Sequence, residues 1–301
     1  MMSPKRWITA ILGIFCVARA FVKVASKEQD RDTSRANLRG HLENMEPRGR
    51  SLSLWPNMLY NVDRPLFDFN VLVTGYLPFG KHPVNPAFEV AQSLNRSCDT
   101  IYLRQPHTFR ICYEGMALPV NTEGSSKVAG ILETDPYRWD GILHLGFESE
   151  AKGLRLETIA ANVKATEEYG SMWNAEIPCN KEGTPHEDIF KDAPCVLPTT
   201  APVSYLDLMG MAELLSQNGL TDLVSRETWS RDAGAYYCND IFFRTLHTVR
   251  GQESPWGGSQ YMVPVMFVHL PTHKVVGGRD MVRMVSYIAE SMMVGTVGLI
   301  P

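Results

Sequence analysis

Two features predict an α/β fold, a three-layer α/β/α sandwich with a mostly parallel central sheet. Two short apolar runs, residues 70–75 and 141–146, end in glycine as buried strands do. Amphipathic stretches at helical spacing alternate with such runs along the chain. Strands separated by helices need crossover connections, which give a parallel sheet covered on both faces.

The elements follow in order. The chain has 301 residues, 44% of them hydrophobic, enough for a sizeable core. Residues 1–22 read as a signal peptide or signal anchor. Lys5 and Arg6 precede an apolar run over 7–17, and Ala18-Arg19-Ala20 supplies a small-x-small cleavage candidate. The run is roughly half the length of a membrane-spanning helix. An uncleaved anchor reaching Val24, or a tail whose apolar run is coincidental, are the other readings. Residues 23–67 read as a flexible linker, polar and charged over 25–50. Residues 68–301 read as one domain without internal repeats.

Within that domain, Pro86 opens a helix over 86–95 with Phe88, Val90, Ala91 and Leu94 on its apolar side. Strands are expected over 100–103 and 116–120, a helix over 122–133 and a strand over 141–146. Residues 156–163 form a short apolar stretch with one carboxylate, Glu157. Residues 170–200, rich in proline, glycine and charge, read as a long surface loop. A helix is expected over 206–218, stopped at Gly219, then a strand over 221–228. The pair Ala233-Gly234 lets the chain turn sharply into a helix over 235–249. A strand over 262–270 and a closing helix over 280–294 complete the domain.

Composition excludes some functions. The net charge of −4, without a basic block, disfavours nucleic acid, whose phosphates need a basic face. No CxxC or HExxH pattern occurs, and the chain is read with no metal and no cofactor. Of six cysteines, Cys16 lies in the leader. The rest sort as two sequence-local pairs, Cys98 with Cys112 and Cys179 with Cys195, and Cys238 alone, with other pairings open. Asn95-Arg96-Ser97 is a glycosylation sequon. Leader, cysteines and sequon fit a secreted protein or an endomembrane lumen, with the cytoplasm as the alternative.

Three residues near expected strand ends can carry chemistry: Glu157, Cys238 and His269. Cys238 falls in the first turn of its helix, where free N–H groups and the helix dipole favour the nucleophilic thiolate. The other reading is a buried structural cysteine on the same apolar helix. His269, before the strand-breaking Pro271, can act as its base. Glu157 can orient that base, or be a first-turn helix charge. His144, inside a buried strand, reads as a satisfied core histidine.

Four segments match one known family in the same order. Val73-Thr74-Gly75-Tyr76-Leu77-Pro78-Phe79-Gly80 with Val84-Asn85-Pro86 resembles the opening of pyroglutamyl peptidase I. His144-Leu145-Gly146 followed by Leu156-Glu157-Thr158-Ile159-Ala160-Ala161-Asn162 resembles its glutamate motif. The segment from Ser230 through Cys238 to Asn239 resembles its nucleophile motif, and Phe267-Val268-His269-Leu270-Pro271 its histidine motif. The resemblance implies a catalytic domain over 68–301 that removes N-terminal pyroglutamate from peptides. It makes Cys238 the nucleophile, His269 the base and then acid, and Glu157 the orienting carboxylate. It puts the two aromatic residues of the lactam pocket on Tyr76 and Phe79. The family usually has Phe at the first, so the Tyr76 hydroxyl needs a partner or water. Bacterial members carry Gly-Gly-Arg before the glutamate motif, whereas this chain has no matching Arg over 148–153. The loop 171–200 and the insert 252–262 exceed compact members. A secreted non-catalytic binder with the same fold, or a cysteine amidohydrolase of another substrate, are the competing readings.

Overall fold

The structure is a computed structural model that describes residues 66–102, 108–165, 186–206, 228–252 and 262–296. The expected leader and linker lie outside these residues. So do most of the expected 206–218 helix and 221–228 strand, and residues 253–261 of the insert. Among the described residues no helix is long and apolar enough to cross a membrane.

Strand β1 (Leu66–Tyr76) is followed by α1 (Pro86–Leu94), β2 (Cys98–Tyr102), β3 (Thr108–Leu118) and α2 (Thr122–Thr134). Then come β4 (Gly141–Phe147), β5 (Arg155–Ala161), β6 (Lys164–Ala165), β7 (His186–Glu187), β8 (Val196–Pro198) and a 3-10 turn, Val203–Tyr205. The last elements are β9 (Trp229–Asp232), α3 (Tyr237–Gly251), β10 (Val265–Leu270) and α4 (Gly278–Thr296).

The main sheet has the order β2-β3-β1-β4-β10-β5-β8, with β9 also paired to β5. Its centre, β3-β1-β4-β10, is parallel throughout. Antiparallel pairing begins at β5 on one side and β2 on the other, so the sheet is mixed and mostly parallel. Side-chain alternation divides the core between its faces. On β1, Phe69, Val71 and Val73 join one apolar cluster with α1 and α4, while Leu72 and Tyr76 join another with α2 and α3. On β10, Met266, Val268 and Leu270 face the first cluster, and Val265 and Phe267 the second. This is the expected three-layer sandwich.

Several boundaries differ from the sequence reading. Strand β1 begins at Leu66, before the expected domain start, and β3 begins at Thr108, eight residues before 116. Residues 186–198, expected as loop, contain β7 and β8. The stretch around Glu157 is a strand, which removes the first-turn helix reading of that residue. The nucleophile helix starts at Tyr237, because Tyr236 still has extended backbone as its N-cap. The sharp turn before it uses Gly234 at φ 81°, a conformation glycine adopts without Cβ strain.

Cys98 and Cys112 face each other across β2 and β3 and form a disulfide, one of the expected local pairs. Cys195 is disulfide-bonded as well, and Cys179 lies outside the described residues. Cys238 is a free thiol, half-buried.

Candidate active site

The central parallel strands bring their carboxyl ends to one edge of the sheet, so Tyr76, Phe147 and Leu270 end there together. His269, next to last on β10, has the alternation parity of Val265 and Phe267 and faces the α3 side of the sheet. Cys238 is the second residue of α3 and packs partly against that same cluster. His269 and Cys238 are thus brought to one face by strand parity and helix placement.

Glu157 comes from β5, which runs antiparallel to β10. The start of β5 therefore lies beside the end of β10, with Phe267 opposite Glu157 and Arg155 opposite His269. Glu157 and His269 are diagonal neighbours on one face, within reach of long side chains. His269 Nδ1 lies 2.7 Å from Glu157 Oε1, and both side chains are buried. Both groups sit within strands and not in loops. A carboxylate on Nδ1 fixes the ring orientation and leaves Nε2 for the thiol.

Burial opposes protonation of the His269 imidazole. The nearby Cys238, the hydrogen bond to Glu157 and the charges of both overcome this and push its pKa up to about 10. Nε2 has no well-aligned hydrogen-bond partner.

Asparagine 239 went unassigned in the sequence reading, yet it is fully buried and ties the nucleophile turn to β5. Its Oδ1 accepts from Ala161 N at 2.8 Å, and its Nδ2 donates to Ala161 O and Val163 O at 2.8 Å each. The signal available was an asparagine early in a helix with no exposed face to serve. Asp240, also fully buried, accepts from Arg244 Nε at 2.8 Å and from Ser125 Oγ, joining α3 to α2. Gly146, read from the sequence only as the glycine that ends a strand, also lies against His269. A Cβ there would stand 2.6 Å from His269 Cδ2 and 2.7 Å from the Phe267 ring.

Tyr76 is buried, and its hydroxyl donates to Tyr237 O at 2.8 Å, which supplies the partner the sequence required. Phe79 is half-buried in the loop after β1. Its ring centre lies 5.9 Å from that of His82, whose ring meets Phe147 edge-on at 5.2 Å. The two expected pocket aromatics therefore differ: Tyr76 is buried with an occupied hydroxyl, and Phe79 is half-buried. His144 is a satisfied core residue. Its ring nitrogens lie 2.9 Å from Thr74 Oγ1 and 3.0 Å from Thr245 Oγ1, and burial holds its pKa down at about 3.

The chain is 24% identical over 208 residues to the pyrrolidone-carboxylate peptidase of Oceanobacillus iheyensis, covering 68% of this chain and 85% of the relative. Its similarity to the enzyme of that name from Pyrococcus furiosus is 30% over 179 residues, or 59% of this chain and 72% of the relative. Among solved structures, the pyrrolidone carboxyl peptidase from Thermococcus litoralis has a TM-score of 0.52 at 23% identity, covering 75% of this chain and 93% of that one. Pyroglutamyl peptidase I from Bacillus amyloliquefaciens has a TM-score of 0.51 at 19% identity, covering 76% and 97%. These structures share the fold. The pyroglutamyl peptidase family model matches residues 69–287, which contain Glu157, Cys238 and His269, and the chain belongs to that family of cysteine peptidases.

Proposed function

We propose that this chain removes N-terminal pyroglutamate from peptides, with Cys238 as nucleophile, His269 as general base and then acid, and Glu157 as orienting carboxylate. The observation that carries the reading is the buried 2.7 Å Glu157–His269 pair on the face where α3 presents the free thiol of Cys238. The thiol proton passes to His269, and Sγ attacks the pyroglutamyl carbonyl carbon. The N–H groups at the start of α3 stabilise the resulting oxyanion. His269 returns the proton to the leaving amine as the C–N bond breaks. Water then hydrolyses the thioester, releasing pyroglutamate and the thiol.

Selectivity follows from the missing charge. The lactam is flat and uncharged, and it would stack on Phe79 above Tyr76. An ordinary N-terminus would bring an ammonium into the same apolar site, at a desolvation cost of several kcal/mol.

Residues 1–22 are proposed to direct the chain into the secretory route, with 23–67 as linker to the catalytic domain. The Cys98–Cys112 disulfide and the bonded Cys195 support an oxidising compartment.

The test is release of a reporter amine from a pyroglutamyl substrate. Activity should vanish in Cys238→Ser and after thiol alkylation. Normal turnover by Cys238→Ser would rule the mechanism out. If Phe79→Ala left substrate preference unchanged, the lactam pocket would be wrong.

A further inference from the structure

Tyr76 is the last residue of β1, and its hydroxyl reaches across to the first turn of α3. The acceptor is the carbonyl of Tyr237. That carbonyl and the N–H of Cys238 belong to one peptide unit. A trans peptide is planar, and its C=O and N–H point in opposite directions. Holding the oxygen therefore sets where the Cys238 N–H points.

That N–H is well placed to matter. It is one of the first-turn donors that a helix leaves without intrahelical partners. Tyr236, the N-cap residue, offers no side-chain cap. The N–H groups of Asn239 and Asp240 both bond Tyr236 O, and the Asn239 side chain is committed to Ala161 and Val163. Among the described residues no acceptor takes the Cys238 N–H. A hydrogen bond accepted at a carbonyl also polarises its peptide and strengthens the N–H as a donor. Burial and the nearby charges of Cys238 and Asp240 raise the Tyr76 pKa, so the phenol stays neutral and remains a donor.

We propose that Tyr76 is a positioning residue whose hydroxyl fixes the Tyr237–Cys238 peptide so that the Cys238 N–H meets the oxyanion formed during acyl transfer. The inference rests on the reaction proposed above and adds to it a role for an atom outside the catalytic trio. The hydroxyl acts through the peptide and touches neither substrate nor thiol. It should therefore affect only steps in which an oxyanion forms.

The experiment compares wild type with Tyr76→Phe, which removes one oxygen and keeps the ring. Three readouts separate the possibilities: turnover of a pyroglutamyl reporter amide, inhibition by pyroglutamyl aldehyde, and alkylation of Cys238 by iodoacetamide. The aldehyde forms a hemithioacetal whose oxygen occupies the oxyanion position. Alkylation occurs at a saturated carbon and forms no oxyanion. Tyr76→Phe should lower kcat about three- to tenfold, as expected for one hydrogen bond, with KM changed less than about twofold. Aldehyde affinity should fall by a similar factor while the alkylation rate holds. Equal kcat and equal aldehyde affinity in the two proteins would overturn the inference alone. A parallel fall in alkylation would overturn it too, because the hydroxyl would then act on the thiol or the fold. A wild type without turnover would overturn the reaction itself and this inference with it.

Discussion

Glu157 and His269 stand diagonally across two antiparallel strands, their polar atoms 2.7 Å apart and shielded from water. Register therefore sets the carboxylate that orients the imidazole. Replacing Glu157 with Gln keeps the size and one acceptor oxygen but removes the charge. An uncharged partner holds the imidazolium less well, so kcat should fall by about 10²- to 10⁴-fold, the range seen when such a carboxylate is made neutral. Steady-state kinetics on a pyroglutamyl reporter, with circular dichroism to verify the fold, would check this. Retention of more than half the wild-type kcat would remove Glu157 from the mechanism.

The same pair predicts a pH dependence. His269 titrates near 10 in the folded chain, because Cys238 and Glu157 outweigh burial, against an ordinary 6.5. Between those values the folded state holds a proton that the unfolded state has released. This contribution to stability is complete below pH 6.5 and is lost as pH rises through about 10, at up to about 1.4 kcal/mol per unit. Activity should follow on the alkaline side, since the leaving amine needs the imidazolium proton. Profiles of kcat/KM should show an alkaline limb near 10, shifted to lower pH in Glu157→Gln. A limb at the same pH in both proteins would mean that another group titrates there.

The sandwich and the places of Cys238 and His269 in it were legible in the sequence because each depends on local pattern. Glycine-terminated apolar runs mark β1 and β4, a sharp turn precedes the Cys238 helix, and Pro271 ends β10 after His269. Residues 156–163 were harder. Their Leu, Glu and Ala suit a helix, and they become strand β5 because β10, β8 and β9 all pair with it. The bonds from Asn239 to Ala161 and Val163 span more than 70 residues, and the Tyr76–Tyr237 bond spans 161. No periodicity within a short window carries such contacts. The sequence required a partner for the Tyr76 hydroxyl but could not name it.

Gly146 predicts a steric effect on the base. A methyl group at this position would overlap His269 Cδ2 and the Phe267 ring. Both neighbours are buried, and the packed face leaves little room for either to turn aside. Gly146→Ala should destabilise the fold by about 1–3 kcal/mol, the usual cost of overpacking. Displacing the imidazole should also lower kcat well beyond any loss of folded protein. Denaturant unfolding and active-site titration would separate the two effects. Normal kcat per folded molecule would show that His269 does not depend on the space over Gly146.

Asn239 predicts a different coupling, between the nucleophile helix and the strand of the orienting carboxylate. Asn239→Ala would leave Ala161 N and Val163 O without this partner in a buried setting, while Ala161 O keeps the Val163 N–H. Each orphaned group costs about 1–3 kcal/mol, so the two together should cost about 2–4 kcal/mol after partial relaxation. Asn239→Asp keeps the acceptor for Ala161 N but turns a carboxylate oxygen toward two carbonyls, so it should be at least as damaging. Because β5 also carries Glu157, loosening this tie should let Cys238 drift from the His269–Glu157 pair. The expected outcome is a lower unfolding free energy in both variants, with kcat per folded molecule reduced about tenfold or more, since a misplacement of about 1 Å can cost far more than that. Urea unfolding with titration of reactive Cys238 would measure both quantities. A variant that lost stability but kept full kcat would confine Asn239 to holding the fold together.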